Sequence, residues 1–424
     1  MRDFWLIIYN VLGVPFMWLF FKIYSLFNAK VRDGLDGRRD LFNELDRSLS
    51  VFNNTKTAVI HSSSLGEYQQ SIPLMDHLLK KGYNVLHSFF SPSGYNNCKI
   101  SQSNTGKTYL PVDSFGKSKR FLETVNPEIL IFMRYDLWYN LIYHAKQMNI
   151  KLVVANARFD EKDRTWTLPV VSSFKKTMYR MLDDVFVIDD YDKDNYARIL
   201  DGYGPKVVKA GDSKFERVYQ TASVKNVDGI FPGIDLKAKK VFVMGSSWKD
   251  DEEVVLPAVN KAAKYNPELL TLLVPHEPKL TKIEAIEKSL EEFENIRSIR
   301  LSDIENYSGE NLIIVDRIGI LSRLYSQAYL SYVGGGFKTG LHNILEPAIF
   351  NMPIFFANNV KNSDEDEILI EKKCGIVVVN TKQFYKRFRE LLSNKEMRDE
   401  IGLKCKDVFS NSAGIAESIV NKIT

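Results

Sequence analysis

The sequence predicts an α/β protein made of two successive Rossmann-like halves behind an N-terminal hydrophobic segment. Three observations carry this expectation. Short apolar runs recur at helix-sized intervals from residue 57 onward. The alternation lapses into Asn, Gly and Pro around 224–235 and then starts again. Six polar loops follow successive runs. In the first half, residues 57–60, 83–90, 108–111, 128–132, 151–155 and 184–188 read as strands. In the second half the strands are 240–244, 269–274, 311–315, 328–333, 353–356 and 375–379. Strands alternating with helices argue for parallel sheets covered on both faces, with ligands at the carboxyl ends of the strands.

The 424 residues exceed one ordinary core, so two domains of about 150–200 residues are expected. The pattern gives residues 1–30 as a membrane anchor helix, 31–55 as a basic connector and 56–225 as the first Rossmann-like domain. A linker at 226–236, a second Rossmann-like domain at 237–404 and a C-terminal helix at 405–424 complete the chain. With 45% hydrophobic and 26% charged residues the composition is globular, and a net charge of +4 lacks the basic stripe of a nucleic-acid partner. Three scattered cysteines, Cys98, Cys374 and Cys405, fit a reducing compartment. The six histidines form no His-x-x-x-His pattern, so no built-in metal site is expected. The triplets Asp190-x-Asp192, Asp192-x-Asp194 and Asp364-x-Asp366 read as a charged helix start and an exposed acidic run.

Residues 4–27 are almost entirely apolar, and the first eighteen carry no charge. Their length is at the lower edge of a membrane span, and Trp5, Tyr9, Trp18 and Tyr24 are residue types favoured at interfaces. Lys22, Lys30, Arg32, Arg38 and Arg39 follow, which places the rest of the chain on the cytoplasmic side. A spanning anchor and an in-plane hydrophobic helix both keep the protein at a membrane surface.

The candidate site residues sit in the loops. His61-Ser-Ser-Ser64-Leu-Gly66-Glu67 follows the first strand, and Glu67 is either a general base or the partner of a capping serine. Arg134 and Asp136 follow the strand ending at Phe132, Asn156-Ala157-Arg158 the next, and Gly211-Asp212-Ser213-Lys214 ends the first half. Gly245-Ser246-Ser247 opens the second half, and Pro275-His276-Glu277 follows its second strand. Gly334-Gly335-Gly336 precedes His342-Asn343-Ile344-Leu345-Glu346-Pro347. Helical spacing over 342–350 suggests a glycine turn at a helix start, suited to an anion, with Glu346 placed to accept from a ribose diol.

In these motifs the chain resembles the Kdo (3-deoxy-D-manno-octulosonic acid) transferases of lipopolysaccharide assembly. The resemblance rests on His61-x-x-Ser64-x-Gly66-Glu67, Leu137-Trp138-x-Asn140, Asn156-Ala157-Arg158, Gly211-x-x-Lys214-Phe215, Gly245-Ser246-Ser247 and the His342-to-Pro347 run, in family order. It implies a GT-B glycosyltransferase with two Rossmann-like domains facing a central cleft, the first for the acceptor and the second for the donor. The implied reaction moves Kdo from CMP-Kdo to lipid A precursor at the cytoplasmic face of the inner membrane, with inversion and without a cofactor or metal. Glu67 is then the catalytic base with Asp136 beside it. Gly245, Ser246, Ser247, His276, Gly335, Gly336, His342, Asn343 and Glu346 bind the donor. Ser64, Gly66, Arg158 and Lys214 bind the acceptor or the Kdo group.

Two positions depart from the family pattern. Its acidic segment reads Met133-Arg134-Tyr135-Asp136 here, and an arginine is missing from Pro275-His276-Glu277. Two other readings stay open: a GT-B transferase or epimerase that uses a UDP-sugar, and a non-catalytic nucleotide-binding membrane protein.

Overall fold

The computed structural model describes residues 2–100, 102–222, 227, 229–338, 340–357, 365–410 and 412–424. Positions 223–226 and 228 around the expected linker, and Asp364 of the acidic run, lie outside them. The chain divides into two compact units, Met1–Arg217 with Gly414–Thr424, and Val218–Ala413.

The first unit holds strands β1 (Thr57–Ser62), β2 (Asn84–Phe89), β3 (Thr105–Tyr109), β4 (Ile129–Met133), β5 (Lys151–Ala157), β6 (Asp184–Val187) and β7 (Lys206–Lys209). They form one sheet in the order β3-β2-β1-β4-β5-β6-β7, and every pairing is parallel. Because successive side chains point to opposite faces, each strand feeds two cores. Val59, Leu130, Phe132, Leu152 and Val154 belong to one. Ala58, Ile60, Ile129, Ile131 and Val153 belong to the other. The second core is closed by the C-terminal helix Ile415–Ile423, whose Ile415, Ile419 and Val420 pack with Leu74 and Leu78 of the helix Leu65–Lys80. Glu216 Oε2 accepts from the Ala416 amide at 2.7 Å and caps this helix. Residues 405–408 instead end the helix Lys395–Val408 of the second unit.

The second unit repeats the plan with β8 (Lys240–Ser247), β9 (Leu269–Pro275), β10 (Ser298–Arg300), β11 (Leu312–Ile314), β12 (Leu330–Val333), β13 (Ile354–Ala357) and β14 (Gly375–Val378). The order is β10-β11-β9-β8-β12-β13-β14, again all parallel. Phe242, Phe355, Phe384 and Phe388 form an aromatic cluster with centroid separations of 4.7 Å for Phe242–Phe388 and 5.0 Å for Phe355–Phe384. Each sheet has a central point at which the chain's strand order turns from falling to rising, between β1 and β4 and between β8 and β12. There the neighbouring loops diverge and leave room for a ligand.

Three local features differ from the sequence expectation. The edge strands β7 and β10 were not anticipated, because neither is buried enough to read as an apolar run. The helix expected over 342–350 is four residues, Leu345–Ala348, since Asn343 turns its side chain back onto the Leu345 amide at 3.2 Å. One turn carries little dipole, so the anion-at-helix-start argument does not apply at this turn.

The N-terminal helix, Arg2–Phe27, is the one described helix long and apolar enough to cross a membrane. Its first three turns are tied to the first unit. Trp5 is buried in the core, Tyr9 Oη donates to Asp113 Oδ2 at 3.0 Å, and Asn10 and Asn140 exchange two amide hydrogen bonds at 2.8 and 2.9 Å. Asp113 is 1% exposed and also accepts from Ser118 Oγ and from the Asn140 and Leu141 amides. Beyond this anchor most of the helix is uncovered, with Phe16 72% and Phe27 81% exposed, while the Phe21 ring meets Phe90 at 5.5 Å. Replacing Tyr9 by Phe and Asn10 by Ala together should cost about 2 kcal/mol in a denaturant titration of the full chain. Amide exchange over residues 2–13 should rise with it.

Candidate active site

In the first unit the candidate residues converge where β1 and β4 part. His61, at the end of β1, is fully buried, with Nδ1 3.0 Å from Ser88 Oγ and Nε2 2.9 Å from Asp136 Oδ2. A carboxylate accepts only, so Nε2 carries the proton and holds Asp136 at the strand ends. Glu67 lies in the first turn of the helix Leu65–Lys80 and is 9% exposed. Its carboxylate accepts from the Ser63 amide and from Ser63 Oγ at 2.8 Å, so it caps its own helix. Ser64 is the residue before that helix, yet its side chain makes no capping bond. Burial pushes the Glu67 carboxyl up, against the pull of the Ser63 bonds. Two bonds leave a carboxylate with further lone pairs, so capping and proton acceptance are compatible here.

Beside them, Arg134 leaves β4 in the left-handed region at φ 62° and donates from Nε to Gln70 Oε1 at 3.3 Å. Asn156, at φ 57° in a bulge of β5, donates to Gln70, to Asp212 Oδ1 at 3.0 Å and to Ser213 Oγ at 2.8 Å. The loops after β4, β5 and β7 are thereby joined into one polar floor. The Lys214 amide donates to Asp212 Oδ1 at 2.8 Å, which fixes the start of the helix Ser213–Ala222. Arg158 lies further along the same edge, and its charge acts on the carboxyl of Asp192. Gly66 stands exposed in the first helical turn next to Glu67.

In the second unit the donor candidates gather where β8 and β12 part. Ser246 bulges out of β8 at φ 53°, and Gly335 turns at φ 93°. The two turns touch through their backbones. A Cβ on Gly334 would lie 2.3 Å from Ser246 O, and one on Gly335 2.2 Å from Gly340 O. Gly336 is pressed as closely against the end of β13, and Gly245 against Tyr325. Asp251 rivets the pair: Oδ2 accepts from the Trp248 and Gly335 amides at 2.9 Å, and Oδ1 from Tyr332 Oη at 2.7 Å. Ser247 Oγ donates to Glu252 Oε1 at 2.8 Å, and its carbonyl accepts from the His276 amide. The His276 and His342 rings stack at 4.2 Å. Asn343 Nδ2 donates to Glu346 Oε1 at 3.1 Å and orients that carboxylate. Among the described residues no cluster of three or more His, Cys, Asp or Glu side chains is placed to hold a metal ion.

A profile of the 3-Deoxy-D-manno-octulosonic-acid transferase (kdotransferase) family matches residues 39–217, which lie within the first unit. The chain is 26% identical over 369 residues to the 3-deoxy-D-manno-octulosonic acid transferase of Haemophilus influenzae, covering 85% of each protein. Residues 39–217 carry a Kdo transferase family domain. It is also 28% identical over 394 residues to a bifunctional glycosyltransferase/methyltransferase of Fusobacterium nucleatum, covering 89% of this chain but spanning only 58% of that protein's length. Two solved structures share the fold of this chain. A putative UDP-N-acetylglucosamine 2-epimerase from Listeria monocytogenes aligns with a TM-score of 0.59 at 14% identity, covering 87% of this chain and 96% of its own. UDP-GlcNAc 2-epimerase from Neisseria meningitidis gives 0.58 at 13% identity, with 87% and 99% covered. The fold is GT-B, with two parallel-sheet Rossmann-like units.

The motifs singled out in the sequence fall at strand ends, after β1, β4, β5 and β7 in the first unit and after β8 and β12 in the second. Sequence reasoning missed Asp251 and Gln70, and placed Trp248 in the loop opening the second half without a role of its own. Asp251 stands three residues after Trp248, but an indole cannot accept a capping bond, so the spacing gave no capping-box signal. Gln70 gives no signal in sequence, because its role depends on three loops meeting. Asp251→Ala strands three buried donors and should cost about 3 kcal/mol or more. Asp251→Asn, which can still accept, should cost less. Thermal or denaturant unfolding of both variants reads the difference.

Proposed function

We propose that this chain moves Kdo from CMP-Kdo to a lipid A precursor at the cytoplasmic face of the inner membrane. What carries the proposal is Glu67, a desolvated carboxylate inside the segment that matches the family, held in place by Ser63 at the reversal point of the first sheet. A sugar hydroxyl is a weak nucleophile, so a positioned base takes its proton as the new bond forms. In the proposed step the acceptor oxygen bonds to the anomeric carbon of Kdo while the bond from that carbon to the phosphate oxygen breaks. CMP departs with the bonding pair, the proton moves to Glu67, and the anomeric configuration inverts. Asp136, held by His61, adds negative charge near Glu67 and favours its protonated product state.

The second unit supplies the donor site in this proposal. Glu346, oriented by Asn343, accepts from the ribose hydroxyls, and the close-packed Gly245–Ser247 and Gly335–Gly336 turns, with the Gly335 amide held by Asp251, form the floor under the phosphate. Arg158 and Lys214 attract the carboxylate of the Kdo group. No resident cofactor or metal is required by the scheme.

The N-terminal helix places the enzyme at its lipid acceptor. A helix rises 1.5 Å per residue, so the length left beyond the anchor at Tyr9 and Asn10 is short of the roughly 30 Å hydrocarbon layer. We read Arg2–Phe27 as lying in the interface, with its uncovered aromatic side toward lipid and Lys22, Lys30 and Arg32 at the headgroups.

The base must be ionised to act, and burial raises the Glu67 carboxyl. Turnover should therefore fall as the pH drops through an apparent pKa above the ordinary glutamate value of about 4.3. Glu67→Gln should lower turnover by roughly a hundredfold or more and abolish that limb, with little change in CMP affinity. Glu346→Ala should do the reverse and weaken CMP binding. Unchanged turnover in purified Glu67→Gln protein removes the base assignment.

A further inference from the structure

Trp248 is the last residue before the helix Lys249–Ala263. Its indole Nε1 is 3.0 Å from His342 Nε2. An indole N–H can only donate, so Nε2 of His342 accepts and carries no proton. A neutral imidazole then has its proton on Nδ1, and Nδ1 has no hydrogen-bond partner among the described residues. The geometry around the pair is fixed from several sides. Asp251 holds the Trp248 amide at 2.9 Å, the His276 ring stacks on the indole at 4.8 Å, and the ammonium of Lys282 sits 4.8 Å from the indole ring. The His342 amide is tied to the Gly334 carbonyl at 3.3 Å, which sets the ring beside the glycine turn.

We infer that Trp248 is a positioning residue of the donor site: its indole N–H occupies Nε2 of His342 and commits that ring to presenting Nδ1–H as a donor to an anionic oxygen of the nucleotide sugar. The inference rests on the proposed donor role of the second unit. Burial and the neighbouring His276 ring push His342 down to about 4, so the ring is neutral at cytoplasmic pH and the tautomer alone decides what it offers. Without the indole N–H, a neutral imidazole populates both tautomers, and a fraction of the enzyme would face the anion with a lone pair.

The test uses the full chain in detergent, with imidazole nitrogens followed by long-range proton–nitrogen correlation and CMP as the probe ligand. With six histidines in the chain, His342→Gln identifies the signal of interest by its loss. The wild type should show His342 as the Nδ1–H tautomer. Trp248→Phe, which keeps a ring in the stack but removes the donor, should shift it toward a mixture of both. CMP affinity should fall about tenfold in Trp248→Phe. In a His342→Ala background the same change should have almost no further effect, because the indole acts through that ring. An unchanged tautomer in Trp248→Phe, or an equal loss of CMP affinity in both backgrounds, overturns the inference. If the wild type shows the Nδ1–H tautomer but binds no CMP, the nucleotide assignment falls while the positioning role stands.

Discussion

The structure depends on how its parallel strands end. Five of them leave their sheets through left-handed backbone, at Arg134, Asn156, Gly211, Ser246 and Gly335. Three of these are not glycine, and each such residue costs on the order of 1–3 kcal/mol, which surrounding contacts must offset. The offsets are visible: Gln70 receives the side chains of Arg134 and Asn156, and Asp251 ties the turn at Ser246 to the turn at Gly335. The bends in β5 and β8 carry the chain sharply over the sheet edge, so polar loops rather than apolar side chains line the reversal points. Strain at these ends accompanies the gathering of the candidate site residues on a rigid rim.

The same chemistry solves the problem differently in the two units. In the first, a buried histidine–carboxylate pair and a self-capping glutamate leave the rim acidic, suited to accepting a proton. In the second, close-packed backbone turns and two stacked neutral histidines leave the rim rich in donors, suited to an anion. The family's acidic pair has become Arg134 and Asp136, and both remain integrated: Arg134 binds the polar floor, and Asp136 is gripped by His61. Near Pro275, where the arginine is missing, the His276 ring stacks on His342.

Much of this was legible in the sequence, for physical reasons. Strands buried on both faces read as unbroken apolar runs, as in Ile129–Met133 and Leu269–Pro275, and the loops after them declared themselves by polarity and glycine. Edge strands β7 and β10 were hidden because an edge needs little apolar surface. The helix after the glycine turn was overestimated because Leu345, Ala348 and Ile349 keep helical spacing, while Asn343 diverts the backbone by a side-chain bond that spacing does not reveal. Glu67 was open between cap and base in sequence; its geometry shows the cap, and its burial gives the property a base needs. The rivets at Gln70 and Asp251 were the least legible, because most of their partners are far apart in the chain and meet only within the folded sheet of their own unit.

The central claim is that a CMP-linked Kdo is transferred to lipid. The most direct measurement is incubation of the purified full chain with CMP-Kdo and a lipid A precursor, followed by mass analysis of the lipid. The account requires the lipid to gain the mass of Kdo, with CMP released in proportion. Unmodified lipid from active preparations, together with consumption of a UDP-sugar, would contradict it.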